Sequence, residues 1–191
     1  MNLLSIASAF PEKSYTQKEC LDAMRAADFW GQLNDRSRLL LNKVLEGDSG
    51  IGKRHFMLDR LEDAWTRDAQ ALNESYEKAA PQMAAEAVVK ALEKMGHDIK
   101  DVDALFVCSC TGYLCPGVSG HVAEQLGMRE DVFLQDMTGL GCGAAVPLMR
   151  AAHAVVAADP GAVVVTGAVE ACAAAFSVED DFGVLISTIA I

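Results

Sequence analysis

Six cysteines and four histidines are the groups of this chain most able to act as nucleophile, base or metal ligand, and Cys142 is set apart by its surroundings. The strand-like run Val132–Met137 meets the turn Thr138–Gly139–Leu140–Gly141, and a small-residue helical pattern then runs from Cys142 to about Ala157. A cysteine opening a helix sits at the positive end of the macrodipole, beside unpaired backbone N–H groups. Both favour the thiolate, the form that attacks a carbonyl. Gly139 and Gly141 supply the positive φ that a strand-to-helix elbow needs, and Gly143, Ala144 and Ala145 leave room for a bulky acyl group. The competing reading makes Cys142 a small hydrophobe in a tightly packed helix, and spacing alone leaves both open.

No histidine is placed to serve Cys142 as base. His153 follows it by eleven positions on nearly the same helix face, roughly 16 Å along the axis at 1.5 Å per residue and out of hydrogen-bond reach. His55, His97 and His121 fall in a charged loop, at a helix end and on a surface-type helix, and read as structural or exposed. Cys108, Cys110 and Cys115 lack a fourth ligand at zinc spacing, and Cys108 and Cys110 alternate as core residues of a strand would, so no metal is expected. The glycines around Cys142 do not have the G-x-G-x-x-G spacing of a dinucleotide loop.

A net charge of −11 without a basic stripe argues against a nucleic-acid partner. Cations do gather locally at Arg36, Arg38, Lys43, Lys53, Arg54 and His55. They form either a patch for an anionic small molecule or a solvated helix face followed by a charged loop. Apolar stretches are expected to break before the roughly 18 residues of a membrane span, and Met1–Phe10 has no basic leader pattern. With 51% hydrophobic residues and few cysteines for a disulfide scaffold, residues 1–191 read as one globular, cytoplasmic domain with reduced thiols and no membrane contact.

The elements that must position Cys142 follow from periodicity. A strand is expected over Leu3–Ala9, and a helix over Gln17–Asp28 capped by Thr16 with Glu19 in a capping box. A second helix spans about Asp35–Leu45. Ile51–Trp65 has no clear period and reads as loop. A long helix from an Asn73 cap to Met95 ends at Gly96. Strands at Ala104–Ser109, Val132–Met137 and Ala162–Gly167 then alternate with helices at Ser119–Leu126 and Cys142–Ala157. Strands with so little polar alternation are buried on both faces, which predicts an α/β fold with a parallel or mixed sheet. The apolar run Val184–Ile191 reads as a strand whose free edge would drive self-association.

The segment Cys108-Ser109-Cys110-Thr111-Gly112-Tyr113-Leu114-Cys115-Pro116-Gly117, with Gln135-Asp136-Met137 and Gly141-Cys142-Gly143-Ala144-Ala145, resembles the chalcone and stilbene synthases, the type III polyketide synthases. The likeness runs from Leu3–Ile6 through Ser49-Gly50-Ile51 to Glu170 and Asp180–Ser187, and covers the N-terminal half of such an enzyme. The resemblance implies a thiolase-like fold, an αβαβα-type layered motif with a central mixed sheet. It makes Cys142 the acyl-carrying nucleophile, with a histidine and an asparagine of the other half completing the set. Thr111 would line the substrate cavity, and Cys115 would reach a neighbouring subunit's cavity across a homodimer interface. Lys43, Lys53 and Arg54 would receive the phosphates of coenzyme A, although Val44 and Asp48 stand where cations are usual in the plant enzymes. The expected reaction condenses acyl-coenzyme A with malonyl-coenzyme A, with coenzyme A thioesters as substrates and no tightly bound cofactor. Two alternatives stay open: a ketoacyl-synthase III type enzyme using a carrier protein, and a catalytically silent assembly domain or half of a split enzyme with a separate C-terminal partner.

Overall fold

The computed structural model describes residues 1–47 and 50–190. In chain order the elements are β1 (Ser14–Thr16), α1 (Gln17–Ala26), α2 (Asp35–Glu46), β2 (Lys53–His55), α3 (Asp63–Thr66), α4 (Ala69–Glu93), β3 (Ala104–Ser109), α5 (Val118–Leu126), β4 (Phe133–Thr138), α6 (Ala145–Ala158), β5 (Val164–Ala168) and α7 (Phe182–Ala190). Asp48, Ser49 and Ile191, which figure in the resemblance and in the expected terminal strand, lie outside the described residues. The chain divides into two compact units, Met1–Phe10 with Tyr76–Glu170, and Pro11–Ser75 with Ala171–Ile191.

The first unit is built on a three-stranded parallel sheet in the order β4-β3-β5. Every residue of β3 is buried, as a central strand without polar alternation should be. Ala104, Phe106 and Cys108 share one face and meet Ala144, Leu148 and Ala152. The period of two on the strand and the 4-residue step on α6 bring these rows into contact. Burying a side chain the size of Phe106 contributes roughly 1.5–3 kcal/mol. No antiparallel strand joins this sheet among the described residues, so of the parallel and mixed arrangements that the strand pattern allows, the parallel one forms, where the family resemblance implied a mixed sheet. Gly96 and Gly127 take φ of +67° and +60°, ending α4 and α5 as read from the sequence.

Three expectations fail in instructive ways. Leu3–Ala9 is not a strand: it has no ladder partner among the described residues, leaves Leu3, Leu4 and Ile6 exposed, and is tied to the end of α4 by Ser5 Oγ donating to the Ala91 carbonyl and Lys94 Nζ to the Ile6 carbonyl. The long helix begins four residues before Asn73, with Asp68 accepting the Ala71 N–H at 2.8 Å as its cap. Gly141–Ala158 is long and apolar enough for a span, with mean hydropathy 1.3 over 18 residues, against the expectation that no stretch would be. Length and composition are the whole of that likeness, since Leu148 and Ala152 pack on the sheet while Arg150 and His153 lie along another side.

The second unit is helical around a small core. Thr16 and Glu19 form the expected capping box, with Thr16 Oγ1 accepting the Glu19 N–H at 3.1 Å and Glu19 accepting the Thr16 N–H at 2.7 Å. Asn34 caps α2 by accepting the Ser37 N–H at 2.9 Å. The supposed loop Ile51–Trp65 contains β2, paired antiparallel with β1, and the single turn α3. Leu21, Met24 and Leu45 pack with the aromatic series Phe29, Trp65 and Phe176, whose rings lie 5.6 and 5.8 Å apart.

Val184–Ala190 is helix, not strand, and the self-associating strand edge is absent with it. Asp181 Oδ1 accepts the N–H groups of Gly183 and Val184, which starts a helix despite the β-branched composition. Leu185 and Ile189, four apart, then bury against Leu33 and Leu41.

Candidate active site

β4, β3 and β5 run parallel and end nearly level, with Ser109 opposite Thr138 and Cys108 opposite Ala168. The loops after all three strands therefore leave from one edge of the sheet. That is the edge where parallel α/β sheets hold ligands. The loop after β4 carries Cys142, the loop after β3 carries Thr111 and Cys115, and the residues just past β5 include Glu170.

Gly139 and Gly141 adopt φ of +72° and +59°, so the elbow uses the left-handed backbone its glycines permit. Cys142 lies in a 3₁₀ turn, Gly141–Gly143, one turn before α6 and not in its first turn as expected. No side chain caps either the turn or the helix, and Cys142 is exposed. The reading of Cys142 as a packed core residue is thereby overturned, because Ala144, Leu148 and Ala152 fill that role. His153 lies further along α6 in an open groove of 570 Å³ with Ala145, Val146, Met149 and Arg150.

The loop after β3 is fastened at three points. Glu170 accepts the Cys110 N–H at 3.1 Å, the Thr111 N–H at 3.1 Å, the Thr111 hydroxyl at 2.7 Å and the Cys110 thiol at 3.3 Å. Asp136 on β4 accepts the N–H of Ser119 at 3.1 Å and its hydroxyl as well, doing for the uncapped start of α5 what a capping side chain does. Between these anchors Gly112 passes over the ring of Tyr76, whose hydroxyl donates to Ser109 Oγ at 2.6 Å. A Cβ on Gly112 would overlap that ring, and one on Gly117 would overlap the Asp136 carboxylate.

Burial raises the Tyr76 phenol above its usual range, opposed by the Ser109 hydrogen bond and reinforced by Glu170, Asp136 and Cys110. Burial likewise raises the Cys108 thiol, with Glu170 adding to the effect. Thr111 is buried and engaged with Glu170, whereas Cys115 and Cys110 are exposed. Cys110 thus departs from the core position that alternation with Cys108 predicted, because the strand ends at Ser109. Among the described residues no cluster of histidine, cysteine or carboxylate side chains is arranged to hold a metal ion.

Lys43 on α2 and Lys53 and Arg54 on β2 belong to the second unit, while Cys142, Thr111 and Cys115 belong to the first. Lys43 and Lys53 are exposed; Arg54 donates to Gln17 Oε1 at 2.8 Å and to the Ile189 carbonyl at 2.9 Å. Glu170, Asp136 and Tyr76 were not among the residues sequence reasoning assigned to the site. The one available signal is Asp136, an acid inside an otherwise strand-forming run, since such a residue needs donors once the strand is packed.

A 27% identical relative over 180 residues is the 3,5-dihydroxyphenylacetyl-CoA synthase of Streptomyces toyocaensis, matching 93% of this chain and 43% of that protein. The 1,3,6,8-tetrahydroxynaphthalene synthase of Streptomyces peucetius subsp. caesius is 29% identical over 150 residues, 78% of this chain and 39% of that one. The chain thus spans less than half the length of these curated relatives. In structure it superposes on the 1,3,6,8-tetrahydroxynaphthalene synthase of Streptomyces coelicolor A3(2), a bacterial type III polyketide synthase, with a TM-score of 0.86 at 22% identity. That match covers 99% of this chain and 53% of the other, and it shows a shared thiolase-like fold. Residues 1–181 match the description "Chalcone and stilbene synthases, N-terminal domain", which includes both the cysteine elbow and the clamped loop, and the chain belongs to that family.

Proposed function

We propose that this chain is the nucleophile-bearing N-terminal domain of a type III polyketide synthase-like acyltransferase, with Cys142 as acyl acceptor. The observation that carries the reading is an exposed cysteine on a positive-φ glycine elbow, one turn before the uncapped start of α6, at the carboxyl end of a parallel sheet. The Cys142 thiolate attacks the carbonyl of an acyl-coenzyme A. A carbon–sulfur bond forms to Cys142, the bond to coenzyme A breaks, and the departing thiolate takes up a proton. Backbone N–H groups at the start of α6 are suited to steady the oxyanion that develops. Condensation with malonyl-coenzyme A, with loss of carbon dioxide, then needs a base and carbanion-stabilising donors from a complementary half.

Thr111 and Cys115, on the loop held by Glu170, are the proposed substrate-lining residues. Lys43 and Lys53 are the exposed cations proposed for the coenzyme A phosphates; Arg54, already donating within its own unit, is proposed to support that patch. A cytoplasmic homodimer is the proposed setting, with coenzyme A thioesters as substrates and no tightly bound cofactor. The test is incubation of the purified chain with an acyl-coenzyme A, followed by intact-mass and peptide mapping. One acyl group on Cys142 is expected, and none in Cys142→Ala. Labelled malonyl-coenzyme A should yield no released product with the chain alone, and catalytic turnover by it would overturn the account of the missing donors.

The alternative of a silent assembly domain draws on the bare side of α6, where Val146 and Met149 are 66% and 41% exposed and the surrounding groove is open. Under that reading no cysteine becomes acylated, and the same mass measurement separates the two.

A further inference from the structure

Three of the six thiols, Cys110, Cys115 and Cys142, are exposed, so a reactive thioester arriving at the carboxyl ends of the strands meets more than one potential nucleophile. We infer that Glu170 selects among them: it holds the Cys110 thiol neutral as a hydrogen-bond donor and so confines acyl capture to Cys142. The inference rests on Cys142 being the acyl acceptor and adds the reason that its neighbour in the next loop is not.

The geometry is specific to Cys110. Its backbone N–H and its thiol converge on the same Glu170 oxygen, at 3.1 and 3.3 Å. The other oxygen takes the Thr111 N–H at 3.1 Å and the Thr111 hydroxyl at 2.7 Å. A carboxylate held by donors on both oxygens cannot swing aside when the thiol ionises. Removing the Cys110 proton would delete one of those hydrogen bonds and set a second negative charge against a fixed one.

Glu170 also acts on the Tyr76 phenol and on the Cys108 thiol, raising both, and neither of these is a cation. Among the described residues neither Glu170 nor Asp136 takes part in an ion pair. Neither Cys115 nor Cys142 donates its thiol to a carboxylate among those residues. Exposure alone would rank the three thiols as equals, and the carboxylate contact separates one of them. Glu170 acts here through Cys110 and Thr111, as a positioning residue.

Limiting iodoacetamide at neutral pH, read by peptide mass spectrometry, tests the selection directly. In the unmodified chain Cys110 should label more slowly than both Cys115 and Cys142. Glu170→Gln keeps an acceptor of the same shape without the charge and should raise Cys110 labelling about tenfold, the size expected of a unit charge a few ångström away at high effective dielectric. An unchanged Cys110 rate in Glu170→Gln, or Cys110 labelling first in the unmodified chain, overturns the inference. Continued protection of the buried Cys20 and Cys108 shows that the variant keeps its fold.

Should the variant not fold, the pH profile of the unmodified chain decides. Cys110 labelling must rise at higher pH than Cys115 labelling, and a coincident or lower rise overturns the proposal. Acyl transfer reads the function separately. Acyl-coenzyme A that modifies Cys110 of the unmodified chain sinks the role of Glu170, whereas failure to modify Cys142 with the alkylation pattern intact sinks the nucleophile assignment instead.

Discussion

At the amino ends of the strands, Asp103 accepts the Val163 N–H at 2.8 Å with one oxygen and the Arg129 guanidinium at 2.9 Å with the other. At the carboxyl ends of the same sheet, Glu170 and Asp136 accept, among the described residues, from neutral donors: amides, hydroxyls and a thiol. The first arrangement neutralises a charge and tethers chain segments. The second leaves negative charge in place and uses it to fix loops that carry exposed sulfur. Both ends satisfy their carboxylates, so hydrogen-bond count alone would not tell them apart. Whether a counter-charge is present separates the end that holds the sheet from the end proposed to do chemistry.

The largest effect should come at the carboxyl end without touching stability. Cys142→Ala is expected to abolish covalent acyl capture while changing unfolding free energy by less than about 0.5 kcal/mol, since the side chain is exposed. Intact-mass analysis and urea melts on the same sample check both halves. A large stability loss would mean that the cysteine is packing after all.

Next, Gly112→Ala should cost about 1–3 kcal/mol, because its Cβ overlaps the buried Tyr76 ring and cannot be accommodated without displacing it. The urea midpoint should fall, and Cys115 on the loosened loop should alkylate faster. Loss of stability with unaltered Cys115 reactivity would show that Tyr76 supports the sheet and not the loop.

Asp103→Asn tests the amino end. The Val163 N–H first, and Arg129 second, hold the Asp103 carboxyl below the usual aspartate range. Its stabilisation is therefore present above the unfolded pKa near 4 and lost as pH falls through the lower folded value. The variant should lose roughly 1 kcal/mol at neutral pH, allowing for a partly exposed side chain, and the gap should close on acidification. Thermal melts from pH 7 to pH 3 measure it, and a gap that widens in acid would refute the sign. The smallest effect is reserved for Asp131→Asn, whose ion pair with Arg129 has a carboxylate 77% exposed; less than about 0.5 kcal/mol is expected at moderate salt.

Legibility in the sequence followed locality. The buried strand Ala104–Ser109, the Thr16 and Glu19 box and the glycine elbow before Cys142 depend on residues a few positions apart, and each was readable. The pairing of β1 with β2 was not, because three-residue polar strands carry no period and their partners lie 37 to 41 positions apart. Val184–Ala190 misled because β-branched composition favours a strand, while the Asp181 cap and the Leu185–Ile189 spacing favour the helix that forms. Glu170 was noted only as a position of likeness, and its role as acceptor was hidden for the same reason as β2: nothing beside it in the chain says that its donors are Cys110 and Thr111.

That separation also imposes an order in time. The Glu170 hydrogen bonds join residues 59 and 60 positions apart, and Glu170 follows β5, whose parallel pairing with β3 needs a long crossover and cannot form as a hairpin. During synthesis from the amino terminus, β3 and the loop that follows it leave the ribosome well before the residue that fastens them. Closing so long a loop is entropically costly until strand pairing rewards it, so the clamp forms together with the pairing of β5 on β3 and not before it. In the nascent chain the Cys110 thiol therefore waits for its carboxylate until β5 has joined β3, and the proposed guard on it is set by that pairing.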